Sequence, residues 1–171
     1  MALLEAVDLV KSFGSHKAVN RVSLYVNAGE TVGLLGRNGA GKTTTFKMVV
    51  GLLRPDGGKV FLDGADVTKL AMYQRVRMGL GYLSQRPELL SRMSVRENLT
   101  AIPELRGVAK KERERQASAI LEEFAIAHVA SVPAALISGG EKRRLEIGRC
   151  LAMEPRLLLL DEPFANVDPI G

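Results

Sequence analysis

Eight consecutive residues, Gly36-Arg37-Asn38-Gly39-Ala40-Gly41-Lys42-Thr43, have the composition and spacing of a loop that cradles phosphate. Glycines at 36, 39 and 41 let the backbone curl so that successive amides point inward, and a following helix adds its positive end. In that geometry Lys42 reaches the terminal phosphates and Thr43 offers a hydroxyl to magnesium. Far downstream, Leu157-Leu158-Leu159-Leu160 ends in Asp161-Glu162, which places a carboxylate at the carboxyl edge of a sheet, where open α/β sheets bind ligands. Asp161 is placed to hold the magnesium through water. Glu162 can orient or deprotonate an attacking water, because phosphoryl transfer needs positioning and charge stabilisation more than covalent chemistry. Each motif has a plainer reading, a glycine-rich turn or a strand meeting a loop. Their joint presence argues for a nucleotide triphosphatase with Mg2+ as a cofactor.

The elements needed to position these groups can be read from period and punctuation. Leu3 to Val10 and Val22 to Val26 alternate or cluster apolar residues as half-buried strands do, so a small sheet is expected to open the chain. Thr31-Val32-Gly33-Leu34-Leu35 reads as a short buried strand, and Lys42 to Leu52 runs without a breaker as a helix. This strand, loop and helix order favours phosphate binding over an inert turn. Arg54-Pro55-Asp56-Gly57-Gly58 stops the helix, Lys59 to Leu62 reads as a strand, Asp63-Gly64 as a tight turn, and Gly81 to Ser84 as another strand.

Past Gln85 the character becomes helical. Ser94 and Glu97 have capping-box spacing, with Val95, Leu99 and Ile102 on one face behind them. Pro103 conflicts with that helix, since it lacks the amide and crowds the carbonyl of Leu99; a kink or an early stop is expected there. Ala117, Ile120, Leu121 and Phe124 mark an amphipathic helix from about Lys110 to Ala127. Residues 86–136 therefore form a helical subdomain inserted in an α/β core made of 1–85 and 137–171, within one domain spanning 1–171.

Composition bounds the rest. With 171 residues, 46% hydrophobic and 25% charged, the chain has a soluble globular balance rather than that of a disordered one. Its longest apolar runs, such as Met48 to Leu53, fall far short of a membrane span, and no basic leader precedes the first apolar residues, so a cytosolic chain is expected. Cys150 is the only cysteine, which leaves neither an internal disulfide nor a cysteine zinc motif. The net charge of +5 chooses no partner, because basic residues are spread out, and Lys110-Lys111-Glu112-Arg113-Glu114-Arg115 interleaves acids with bases as a solvated helix face does.

Between the two phosphate motifs, Ile137-Ser138-Gly139-Gly140-Glu141 resembles the signature of the ATP-binding cassette (ABC) family, and the motifs follow in that family's order. The resemblance implies a P-loop NTPase fold, a mixed sheet with helices on both faces, with an N-terminal antiparallel β subdomain and an inserted helical subdomain. It implies that the nucleotide is ATP and that Gly36, Asn38, Gly39, Ala40, Gly41, Lys42, Thr43 and Thr44 hold it. Phe13 lies where the family stacks an aromatic ring on adenine, although tyrosine is commoner there and a core Phe is the competing reading. Gln85 matches a glutamine that contacts magnesium and the attacking water, making Glu162, Lys42 and Gln85 the catalytic set and Thr43, Gln85 and Asp161 the metal set.

By the same resemblance, Ser138, Gly139, Gly140 and Glu141, ahead of a helix beginning near Glu141, close on the ATP of a second subunit, with Asp168 communicating across a head-to-tail dimer. Integral membrane permease subunits dock beside Gln85, where Tyr73, Arg77, Arg86, Leu89 and Arg92 are candidate contacts or ordinary surface and minor core. No direct nucleic-acid partner is implied. The location is then the cytoplasmic face of the inner membrane, peripheral through those partners. Glu141 in place of the common glutamine, and Phe164-Ala165 after Pro163, look most like ATPases of lipopolysaccharide export, while branched-chain amino-acid importers share much of the wording. A non-transport cassette ATPase or an inert regulatory nucleotide-binding module are the remaining readings.

After Asp168 the family pattern calls for a helix, a core strand and a histidine on the γ-phosphate, and neither His16 nor His128 follows Asp161. The expectation is a truncated chain that leaves an unpaired core face or sheet edge, binds Mg-ATP weakly and hydrolyses it slowly or not at all.

Overall fold

Alternation of apolar and polar residues at the start of the chain produces a long hairpin. In the computed structural model, which describes residues 2–84 and 89–161, strands β1 (Ala2–Phe13) and β2 (His16–Asn27) pair antiparallel and close at Phe13 opposite His16. Leu4, Ala6 and Leu9 face inward and are buried, while Glu5 and Val7 point to solvent. Strand β3 (Gly57–Leu62) lies antiparallel to β1 with Leu4 opposite Leu62 and Ala6 opposite Val60, and the Asp63-Gly64 turn returns the chain into the short β4 (Ala65–Asp66). The sheet order is β2-β1-β3-β4.

The chain divides into two compact units, Met1–Leu80 and Gly81–Gly171. In the first, helix α1 (Lys42–Val50) supplies Met48, Val49 and Val50 to a core with Leu4, Leu9, Val60 and Leu62, all at most 2% exposed. Each such side chain contributes about 1.5–3 kcal/mol by leaving water. Helix α2 (Met72–Arg77) completes the unit. The strand expected at Thr31–Leu35 does not form. No neighbour pairs with it among the described residues, and a strand exists only through its ladder, so Val32 stands 47% and Leu35 93% exposed.

The second unit has its own core. β5 (Leu80–Leu83) is hydrogen-bonded to β6 (Leu157–Leu160) in a two-stranded sheet. Helices α3 (Val95–Leu105), α4 (Lys110–Glu123) and α5 (Gly139–Leu151), with a 3-10 turn at Ala127–Val129, enclose Val95, Leu99, Ala117, Leu121, Ile126 and Leu145. The capping box is present: the Glu97 amide donates to Ser94 Oγ at 3.2 Å and the Ser94 amide to Glu97 Oε2 at 2.7 Å. Pro103 does not stop α3 at once. It sits buried in the last turn, and the helix ends two residues later at Leu105, where the Arg106 and Val108 amides donate to the Pro103 carbonyl.

Two features hold these elements without having announced themselves in the pattern. Asn98, fully buried, accepts from the Leu90 amide at 2.8 Å and donates to the carbonyls of Leu90 and Ser94 at 3.0 and 2.9 Å, fixing the loop before α3. Gly148 lets α5 approach α4 closely, since a Cβ there would lie 2.5 Å from Ile120 Cγ2. The mixed-charge run behaves as a solvated face, with Arg115 paired to Glu112 at 2.6 Å. Among the described residues, no helix is long and apolar enough to cross a membrane.

Candidate nucleotide-binding site

The loop Gly36–Gly41 ends at Gly41, the N-cap of α1, whose φ of +86° is left-handed. A Cβ at Gly41 would sit 2.4 Å from the Ala18 carbonyl of β2 and would strain the backbone as well, so the position accepts only glycine. Gly41 makes no side-chain cap bond to α1. The first amides of that helix carry the partial positive charge of the helix end and follow directly on the loop. Residues Gly36 to Ala40 are exposed, and Lys42 folds back over them, its Nζ donating to the Gly36 carbonyl at 2.7 Å and to the Arg37 carbonyl at 3.0 Å. The ammonium thus lies at the loop itself, where an anionic oxygen could replace those carbonyls. Thr43 and Thr44 follow in the first turn, half-buried, and Thr45 closes the turn by bonding the Gly41 carbonyl through its hydroxyl at 3.0 Å.

The far end of α1 is seated on a side chain that pattern reading passed over. Arg75, 1% exposed, donates from Nη1 to the carbonyls of Met48 and Val49 at 2.8 and 2.6 Å, from Nε to Leu70 at 3.0 Å and from Nη2 to Thr68 at 3.2 Å. Burial pushes its pKa down and the field of Asp66 pushes it up. In sequence it sits in Met72-Tyr73-Gln74-Arg75-Val76-Arg77, a stretch with no mark that separates a buried arginine from an exposed one.

Phe13, at the end of β1, is 52% exposed rather than part of the core, and Lys11 Nζ stands 5.9 Å from its ring centroid. Lys11 is itself held by Asp56 at 2.7 Å, and that hydrogen bond keeps the Asp56 carboxyl below its ordinary range. Tyr73 is 62% exposed with the Arg77 guanidinium 5.7 Å from its ring, Arg92 is exposed, and Leu89 packs on the helical core.

In the second unit, Asp161 follows β6 at 4% exposure. Its amide donates to the Leu83 carbonyl at 3.0 Å, and the Tyr82 hydroxyl donates to its Oδ2 at 3.4 Å. A carboxylate such as this is a hard oxygen donor of the kind Mg2+ takes alongside phosphate and water. Gln85, Arg86, Glu162 and Asp168 lie outside the described residues.

Helix α5 begins at Gly139, two residues before the start expected near Glu141, because Glu141 is the third residue of a capping box. The Ser138 amide donates to Glu141 Oε2 at 2.7 Å and the Glu141 amide to Ser138 Oγ at 3.3 Å. Glu141 Oε1 also meets His128 Nε2 at 2.9 Å. The Ser138 hydrogen bonds chiefly, and then His128, hold the Glu141 carboxyl below its ordinary value. Ser138, Gly139 and Gly140 are exposed, with open space beside both glycines. Behind them Arg143 pairs with the buried Glu146 at 3.0 Å and reaches the Ser84 carbonyl at 3.4 Å, another link that the sequence did not signal.

Comparison with known proteins places this geometry. The profile of the ABC transporter family matches residues 19–165. The chain is 51% identical over its whole length to the lipopolysaccharide export system ATP-binding protein LptB of Haemophilus influenzae, spanning 71% of that protein, and 48% identical to LptB of Escherichia coli K12, again spanning 71%. It is equally 51% identical, over 98% of its length, to a probable ABC transporter ATP-binding protein of Azorhizobium caulinodans, of which it spans 60%. Among solved structures, an ATP-binding cassette of an ABC transporter superposes with a TM-score of 0.87 at 32% identity, over 99% of this chain and 72% of that one. The cbiO1 protein of Clostridium perfringens, part of the ABC transporter complex cbiONQ, gives 0.86 at 28%, over 99% of this chain and 69% of that one. The chain belongs to the ABC transporter family.

Proposed function

We propose that the chain binds Mg-ATP at the Gly36–Thr44 loop and serves as the ATP-hydrolysing subunit of a transporter that exports lipopolysaccharide. The observation that carries the nucleotide part is the uncapped start of α1, set behind a left-handed Gly41, with the Lys42 ammonium lying on the loop's own carbonyls. Incoming phosphate oxygens take the amides and draw Lys42 off Gly36 and Arg37, exchanging neutral acceptors for charged ones. Phe13 stacks on the base, which needs no polar partner. When magnesium is bound it offsets phosphate charge, with Thr43, Gln85 and, through water, Asp161 as its protein oxygens. Glu162 and Gln85 orient the water whose oxygen bonds the γ-phosphorus as the bond to the ADP oxygen breaks; Glu162 accepts the proton.

Ser138, Gly139, Gly140 and Glu141 meet the ATP of a second subunit in a head-to-tail dimer, and Asp168 serves communication between the two subunits. Tyr73, Arg77, Arg86 and Arg92 face permease subunits on the cytoplasmic side of the inner membrane. The export assignment rests on similarity to the two LptB proteins over the whole of this chain.

Two measurements test the reading. Calorimetric titration of the purified chain with Mg-ATP should give saturable binding that Lys42→Ala weakens by about 100-fold; no uptake by the folded wild type overturns the nucleotide reading. For the cargo, this chain's residues should be grafted in place of the matched part of the Escherichia coli LptB, in cells depleted of their own copy. Surface lipopolysaccharide should return, and should not with Lys42→Ala. A chimera that hydrolyses ATP yet restores none would sink lipopolysaccharide export and leave only the motor.

A further inference from the structure

We infer that Arg75 is a positioning residue for phosphate binding: its buried guanidinium clamps the C-terminal carbonyls of α1 and thereby sets where the phosphate loop at the other end of that helix lies. The inference rests on the nucleotide reading above. Three nitrogens of Arg75 reach four backbone carbonyls at 2.6–3.2 Å, two of them, Met48 and Val49, in the last turn of α1. These are among the carbonyls a helix leaves unpaired, and the negative end of the helix is where a cation is favoured. The other two, Thr68 and Leu70, belong to the segment between β4 and α2, so the guanidinium ties α1 to a second part of the same unit.

A helix end does not require such a device. The Gly51 amide already bonds the Lys47 and Met48 carbonyls in a left-handed turn, the ordinary way to finish a helix. Gly51 also gives up a side chain to make room, since a Cβ there would lie 2.8 Å from Arg75 Nε. Burying a guanidinium is costly unless its geometry is well satisfied, and its planar fork fixes direction in a way an apolar filler does not. Because α1 is only nine residues long and begins at Lys42, a shift at Met48 and Val49 is carried along the axis to the Lys42 ammonium and the loop amides.

The test is Mg-ATP and inorganic tripolyphosphate titration of the wild type, Arg75→Lys and the exposed control Arg54→Lys, well below the melting transition and corrected for folded fraction. Arg75→Lys keeps the charge but cannot span four carbonyls. It should bind both ligands about tenfold more weakly, with the control unchanged. A role confined to stability would lower the melting temperature and leave the affinity of folded molecules alone. Folded Arg75→Lys binding within about twofold of wild type overturns the proposal. Should wild type take up no Mg-ATP, the nucleotide reading itself falls and this inference with it. If Arg75→Lys does not fold, hydrogen exchange on the wild type decides: amides of Gly51, Leu52 and Leu53, all bonded to the Lys47 carbonyl, should exchange more slowly when Mg-ATP saturates the loop. Unchanged exchange overturns the proposal.

Discussion

Two helices of this chain begin at anion-attracting turns, and they are built in opposite ways. At α1 the N-cap is Gly41, which makes no side-chain cap bond, and the Lys42 ammonium rests on loop carbonyls. At α5 the N-cap is Ser138, and the reciprocal bonds between Ser138 and Glu141 use the amides of both residues. The first turn keeps its donors for a guest. The second spends part of its donors on itself and adds a carboxylate that meets His128. A helix start held by its own side chains keeps its shape without a ligand; an uncapped one gains most when a ligand arrives.

The largest expected effects lie on the uncapped side. Gly41→Ala places a methyl 2.4 Å from the Ala18 carbonyl and forces a left-handed alanine, and Lys42→Ala removes the charged donor. Each should weaken Mg-ATP binding by about 100-fold, roughly 3 kcal/mol, in a calorimetric titration. Binding that survives both changes would mean that α1 does not hold the phosphates, and the contrast between the two helix starts would lose its meaning.

How much of this contrast was visible beforehand depends on whether the cause is local. The spacing of Gly36, Gly39, Gly41 and Lys42 is a local requirement, so the loop and the helix after it could be read directly. The alternation in β1 and the Ser94–Glu97 box are local too. Thr31 to Leu35 reads as a strand because it is short and apolar, but pairing decides, and among the described residues no ladder forms there. Pro103 reads as a kink or an early stop, and α3 runs only two residues past it to Leu105, so the bond that its missing amide denies the Leu99 carbonyl is a single link near the helix end. Arg75, Asn98 and Glu146 are ordinary polar residues in the sequence. Only the folded chain sets their partners, backbone carbonyls for Arg75 and Asn98 and the Arg143 guanidinium for Glu146, and makes them buried anchors.

Effects on the capped side should be smaller and should appear as stability. Gly148→Ala drives a methyl to within 2.5 Å of Ile120 and should lower the stability of the second unit by about 1–3 kcal/mol in urea titration. Ser138→Ala removes the cap of α5 and should cost about 1 kcal/mol. Neither should change the affinity of the Gly36–Thr44 loop for Mg-ATP. A matching loss of affinity in both variants, measured on folded protein, would show that the two helix starts are not independent in the single chain.

The finest distinction concerns charge at the capped turn. The Glu141 carboxyl is held below the ordinary glutamate value of 4.5, first by the Ser138 side chain and amide and then by His128. A depressed folded value means that the stabilisation is fully present above about pH 4.5 and is lost as pH falls through the lower folded value. Glu141→Gln can still accept from the Ser138 amide, as a capping-box glutamine does, but cannot titrate. Asp56, Asp66, Glu97 and Glu112 are lowered in the same way and titrate in both proteins, so the difference between the two isolates Glu141. Melting temperatures followed from about pH 6 to about pH 3 should therefore fall further for wild type than for Glu141→Gln. Because its partner His128 is largely exposed and the pair lies near the surface, the gap should be small and should narrow with added salt. Parallel curves would mean that neutral hydrogen bonds alone hold the α5 start, and that the negative charge beside His128 adds nothing to the fold of that turn.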